Sequence, residues 1–167
     1  MPGCVIFAPQ LIQQAVDLLA AARGKGVMIA TAESCTGGLI AGLLTEIAGS
    51  SDVVDRGFVT YSNQAKEDML GVPRDLLEAH GAVSEPVAAA MAAGALTHSR
   101  AGLVVAVTGI AGPSGGTDEK PVGLVYIAAM RAGGEAVVER HLFGNIGRTQ
   151  VRFVTIEAAL KLAASLL

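Results

Sequence analysis

The stretch Gly26-Val27-Met28-Ile29-Ala30-Thr31-Ala32-Glu33-Ser34-Cys35-Thr36-Gly37-Gly38-Leu39-Ile40-Ala41-Gly42-Leu43-Leu44 decides the fold. Val27–Ala32 has a continuous apolar character, not the alternation of a one-sided strand, and so predicts a strand buried on both faces. Thr36–Ala48 carries a helical pattern and is closed by Gly49. Between them lies a short polar turn. A strand running through a tight turn into a helix is the building unit of α/β folds. It presents free backbone N–H groups and a hydroxyl at the positive end of a helix, where anions and developing oxyanions are stabilised.

Working outward, Pro9–Ala22 places Leu11, Ile12, Ala15, Leu18 and Leu19 on one helical face, and Arg23-Gly24-Lys25-Gly26 ends it. Val53–Tyr61 predicts a strand, Asn63–Leu70 and Pro73–His80 two short helices, and Ser84 the cap of an Ala-rich helix reaching Ser99. Leu103–Thr108 is a second buried strand, and Gly109–Pro121 a Gly-rich loop. Val122–Met130 and Ala136–Phe143 form a hairpin around Arg131-Ala132-Gly133-Gly134, and Arg148–Leu166 closes the chain as a helix. Helices and strands interleave with no linker or repeat, which predicts one domain over residues 1–167. Its expected fold is a three-layer α/β/α sandwich on a mixed, largely parallel sheet.

Composition narrows the function. With 167 residues the chain can bury a full core; it is 51% hydrophobic but only 4% aromatic, which favours close packing of small aliphatic residues over aromatic platforms. The net charge of −3 and the lack of a basic block give no support to nucleic-acid binding. The apolar runs Val87–Leu96 and Ala101–Val107 fall short of the roughly 20 residues a membrane span needs. The first residues lack the positive region of a signal peptide, and Cys4 and Cys35 form neither a disulfide framework nor a metal pattern. A protein of the reducing cytoplasm is the expectation.

Four places carry candidate chemistry. Ser34 lies between strand and helix beside glycines, as a nucleophile or as a helix cap would. Cys35 is a rival nucleophile whose plainer reading is a small buried hydrophobe. Lys66 falls in the first turn of a helix, where the dipole favours a neutral amine, while Glu67 and Asp68 oppose that shift. Tyr61 ends the preceding strand, and its phenol could bond the lysine or the nucleophile; serine, lysine and tyrosine offer a histidine-free route to acyl transfer. Thr108-Gly109-Ile110-Ala111-Gly112-Pro113-Ser114-Gly115-Gly116-Thr117 starts at the carboxyl end of a buried strand. It is either a flexible hairpin loop or a backbone nest for phosphate or carboxylate. Arg148 and Arg152, four residues apart, share a helix face and form either a solvated face or a phosphate grip. His80, His98 and His141 have no catalytic setting, and no His/Cys/Asp cluster has metal-ligand spacing.

Several segments resemble the CinA C-terminal domain family, the nicotinamide mononucleotide deamidases. They are Ala32-Glu33-Ser34-Cys35-Thr36-Gly37-Gly38, Ala48-Gly49-Ser50-Ser51, Arg56–Asn63, Gly81-Ala82-Val83-Ser84-Glu85, and Thr108–Pro113 with Lys120-Pro121-Val122-Gly123. The resemblance implies hydrolysis of the carboxamide of nicotinamide mononucleotide to nicotinic acid mononucleotide and ammonia, the α/β/α fold and a homodimer; no cofactor is expected. It implies Ser34 as nucleophile with Lys66 and Tyr61 as activators. Thr108 and Gly109 would line the site, and Arg148 would meet the phosphate; the turn residues Glu33, Cys35, Thr36, Gly37 and Gly38 are expected at the substrate as well. One segment departs from the pattern: the family often shows Phe-x-Gly-Asp-Arg, and here Phe143-Gly144-Asn145-Ile146-Gly147-Arg148 lacks the acidic residue and has one residue more. A competing reading is a non-catalytic module that binds a pyridine nucleotide or a competence or DNA-damage partner.

Overall fold

The computed structural model describes residues 6–167, so Cys4 lies outside the described residues. The elements are α1 (Pro9–Gly24), β1 (Ile29–Glu33), α2 (Leu39–Glu46), β2 (Val54–Val59), α3 (Asn63–Leu70), α4 (Arg74–His80), α5 (Glu85–Thr97), β3 (Leu103–Gly109), β4 (Leu124–Arg131), β5 (Val137–Leu142) and α6 (Arg148–Ser165). One sheet has the order β2-β1-β3-β4-β5. β1 pairs in parallel with β2 and β3, and β4 pairs antiparallel with β3 and β5. Thus β1, β2, β3 and β5 point one way and β4 alone runs against them, a mixed and mostly parallel sheet.

Successive residues of the central strands point to opposite faces. Ile29, Leu103, Val105, Val107, Val125 and Ile127 pack with α1, α2 and α6. Ala30, Ala32, Val104, Ala106 and Ala128 pack with α3, α4 and α5. Both faces are covered, which is why β1 and β3 read as unbroken apolar runs. The second face is lined by alanines and meets Ala88, Ala92 and Ala95 of α5, so α5 lies close to the sheet. α3 presses in turn on α5 at Gly94, where a Cβ would run into the carbonyl oxygen of Leu70. That close approach sets the depth of α3, and with it the depth of Lys66.

The topology gathers the loops. From β1 the chain passes through α2 to β2 on one side of β1; from β2 it passes through α3, α4 and α5 to β3 on the other side. The carboxyl ends of β1 and β3 flank the point where the strand order reverses, the place where open α/β sheets bind ligands. Because β4 reverses direction, the loop from β3 to β4 and the start of α6 after β5 reach this same edge.

α2 begins at Leu39, three residues later than the pattern predicts, because Gly37 and Gly38 adopt φ of +60° and +95° and hold the turn out of the helix. Ser84 does precede α5, but its hydroxyl donates to the carbonyl of Gly81 and does not cap the helix.

Candidate active site

The carboxyl end of β1 delivers Glu33 and Ser34 to the edge of the sheet. Ser34 N–H donates to Val107 O at 3.0 Å, which continues the β1–β3 pairing into the turn and fixes the serine backbone. Lys66 comes from α3, whose start is set by Ser62 Oγ accepting the Ala65 N–H at 3.0 Å. The lysine turns inward and is 1% exposed. Its Nζ lies 3.1 Å from Ser34 Oγ and donates to Thr60 O at 2.9 Å.

The amine has no carboxylate partner among the described residues. Glu67 pairs with Arg74 and Asp68 accepts from Gln64, so the two acids that might have held its charge are engaged elsewhere. Burial therefore pushes the Lys66 amine below its ordinary value, with the nearby Cys35 opposing the shift. A neutral amine that spends one N–H on Thr60 O can offer its lone pair to the Ser34 hydroxyl. The thiol of Cys35 is pushed the other way, up to about 12, mainly by burial. The side chain is packed and buried, the setting of a small buried hydrophobe.

Around this pair is a cavity of about 290 Å³. Ser34, Cys35, Tyr61, Lys66, Thr108, Gly109 and Arg148 line it, so most of the residues singled out in the sequence do converge. Asn63, Ala82, Val83 and Ala111 complete the wall and were not singled out. Thr108 Oγ1 donates to Ala82 O at 2.8 Å and holds the α4–α5 loop against the cavity. The signal for Ala82 and Val83 was their place in a matching segment, not their chemistry. His80, His98 and His141 do not line the cavity.

Four residues expected at the substrate are placed otherwise. Glu33 is buried, and its carboxylate accepts from Gly38 N (3.1 Å), Ile40 N (3.0 Å), Ala41 N (2.8 Å), Thr36 Oγ1 (2.6 Å) and Thr31 Oγ1 (3.2 Å). It closes the start of α2 from inside. Thr36 is fully buried on that carboxylate, and Gly37 and Gly38 shape the turn without lining the cavity. The physical reason is that the N–H groups expected to receive an external anion already receive an internal one.

Tyr61 also departs from expectation. Its hydroxyl accepts from Arg148 Nη2 at 2.9 Å and bonds neither Ser34 nor Lys66. Arg148 Nη1 donates to Gly112 O at 2.9 Å, so the arginine spans from α6 to the Gly-rich loop and to the end of β2. Arg152, one turn later, does not line the cavity and donates through Nη2 to Thr36 O at 2.9 Å. The two arginines share a helix but not a task. Among the described residues no group of three or more His, Cys, Asp or Glu is placed to hold a metal, and no helix is long and apolar enough to cross a membrane.

Fold and site together define a three-layer α/β protein with a serine–lysine pair at the switch point of its sheet. The chain belongs to the CinA family: the model of the CinA C-terminal domain matches residues 10–167. The nicotinamide-nucleotide amidohydrolase PncC of Escherichia coli (strain K12) is 51% identical over 136 residues, 81% of this chain and 82% of that protein. A CinA-like protein of Syntrophobacter fumaroxidans is 54% identical over 140 residues; the match takes in 84% of this chain but only 32% of that longer relative. The crystal structure of the competence/damage inducible protein CihA from Agrobacterium tumefaciens matches with a TM-score of 0.95 and 52% identity, covering 98% of this chain and 99% of that one.

Proposed function

We propose that this chain hydrolyses the carboxamide of nicotinamide mononucleotide, giving nicotinic acid mononucleotide and ammonia, with Ser34 as nucleophile and Lys66 as its base. The carrying observation is the 3.1 Å contact between a buried amine lacking a carboxylate and a serine hydroxyl at the cavity. The substrate class rests on the likeness to PncC.

In the first step Lys66 Nζ takes the Ser34 proton while Oγ bonds to the carboxamide carbon. The oxygen of that carbon becomes an oxyanion. Between Ser34 and Ala41 only the N–H groups of Cys35 and Thr36 lack an acceptor on another residue, and of these two residues only Cys35 lines the cavity, so its N–H is the donor proposed for it. Lys66 then gives its proton to the departing nitrogen, which leaves as ammonia and an acyl-serine. Water attacks the acyl carbon while Lys66 accepts its proton; the bond from that carbon to Ser34 Oγ then breaks, Lys66 returns the proton to Oγ, and the acid is released. Arg148, with Tyr61 on its second nitrogen, receives the phosphate on the α6 side of the cavity. A homodimer acting in the cytoplasm completes the proposal; light scattering of the purified chain tests the dimer.

The test is ammonia release from nicotinamide mononucleotide, nicotinamide riboside and free nicotinamide. Release from the phosphorylated compound alone supports the reading. Calorimetric binding of the nucleotide with no ammonia over hours would turn it into a binding module.

A further inference from the structure

We infer that Arg152 is a positioning residue for Ser34, acting from α6 through the backbone of the turn; this rests on the Ser34 reading above. Three observations meet here. Arg152 Nη2 donates to Thr36 O at 2.9 Å. The peptide unit that carries this oxygen also carries the Gly37 N–H, which donates to Ser34 O at 3.0 Å. The guanidinium lies so close over Gly37 that a Cβ there would sit 3.3 Å from Nη2. A continuous path thus runs from the guanidinium through one peptide group to the nucleophile's own carbonyl, and each bond in such a chain polarises the next.

The setting of Arg152 fits a brace and not a surface charge. No acid forms an ion pair with it among the described residues. Its Nε is buried without a hydrogen-bond partner. A buried unpaired donor carries a cost, so the residue's place is not accounted for by its own satisfaction. Thr36 is gripped from two sides: its hydroxyl donates to Glu33 at 2.6 Å, and its carbonyl accepts from Arg152. With Glu33 holding the N–H side of the turn and Arg152 its carbonyl side, the direction of the Ser34 side chain toward Lys66 is fixed. Arg152 does not touch the cavity, so its loss leaves substrate affinity in place.

The experiment uses the full chain and two readouts. One is steady-state ammonia release from nicotinamide mononucleotide. The other is the rate at which an alkyl fluorophosphonate labels Ser34: Oγ bonds to phosphorus, fluoride leaves, and the serine proton passes to Lys66. In Arg152→Met both kcat and labelling fall by about 10²-fold, the scale of a misplaced reacting group. KM stays within about threefold, because the lost interaction is not with the substrate. Arg152→Lys, which keeps the charge and a donor toward Thr36 O, recovers about tenfold of that loss. Should Arg152→Met fail to fold, Arg152→Gln carries the same expectation. Wild-type labelling and kcat in a folded Met or Gln variant overturn the inference while leaving the Ser34 reading intact. A wild-type chain that is neither labelled at Ser34 nor active overturns both.

Discussion

Two helices begin at the same edge of the sheet and are finished in opposite ways. At the start of α2, three N–H groups and the Thr36 hydroxyl converge on the carboxylate of Glu33, so the positive end of that helix is neutralised from within. At the start of α6, no side chain caps the helix, no acid lies in its first turn, and Arg148 adds a positive charge at its first residue. A cation there works against the helix dipole. The comparison teaches where an anion can be received. The turn beside α2 is held from within around Ser34, and the α6 side is left electropositive next to the cavity.

Removing the internal anion should have the largest effect. Glu33→Gln keeps the shape but loses the charge and turns one acceptor into a donor facing N–H groups. We expect a loss of about 3 kcal/mol in urea unfolding, the scale for breaking a buried charged network. Stability unchanged in Glu33→Gln would break the contrast between the two helix starts.

Arg148→Met strips the open end. It should raise KM for nicotinamide mononucleotide by about 10²-fold, the worth of a charge-assisted contact to phosphate, and leave kcat within about threefold. A fall in kcat with KM unchanged would mean that Arg148 acts on the amide and not on the phosphate.

A smaller effect belongs to Lys66 and is read from pH. Its folded amine titrates below its ordinary 10.5 because of burial. Between those two values the unfolded chain holds the proton and the folded chain does not, so stability rises with pH across that window. Below the folded value the cost of burying the charge is fully present. Lys66→Met should flatten the dependence and raise stability at neutral pH by about 1 kcal/mol, as replacing a buried charge with an apolar side chain often does. Unfolding curves collected from pH 7 to 10.5 check it. The smallest change is Tyr61→Phe: with the hydroxyl on Arg148 and the residue 62% exposed, kcat should fall by no more than about threefold. A loss of about 10²-fold or more, the scale of a lost general acid or base, would return Tyr61 to the role of activator.

Much of this was legible in the chain. Two buried strands, each running into a Gly-rich turn, required a covered sheet, and ligand chemistry at their carboxyl ends followed. Ser34, Lys66, Thr108 and Arg148 were visible as polar residues at element ends. Periodicity says nothing about partners, however. Glu33 read as part of a ligand turn because nothing local reveals that a carboxylate folds forward onto N–H groups up to eight residues ahead. Tyr61 and Lys66 are neighbours in sequence, yet the turn at Ser62 sends the lysine inward and leaves the tyrosine beside α6. Arg148 and Arg152 share a face, but the first meets a loop and the second a backbone carbonyl; i,i+4 spacing cannot separate those outcomes.

The central claim is that the Ser34–Lys66 pair performs the chemistry. Ammonia release from nicotinamide mononucleotide by the purified chain and by Ser34→Ala, with folding followed by circular dichroism, tests it most directly. The account predicts release by the unaltered chain and a fall of at least about 10³-fold in a fully folded Ser34→Ala, the loss of a covalent nucleophile. Release by Ser34→Ala at the unaltered rate would contradict it.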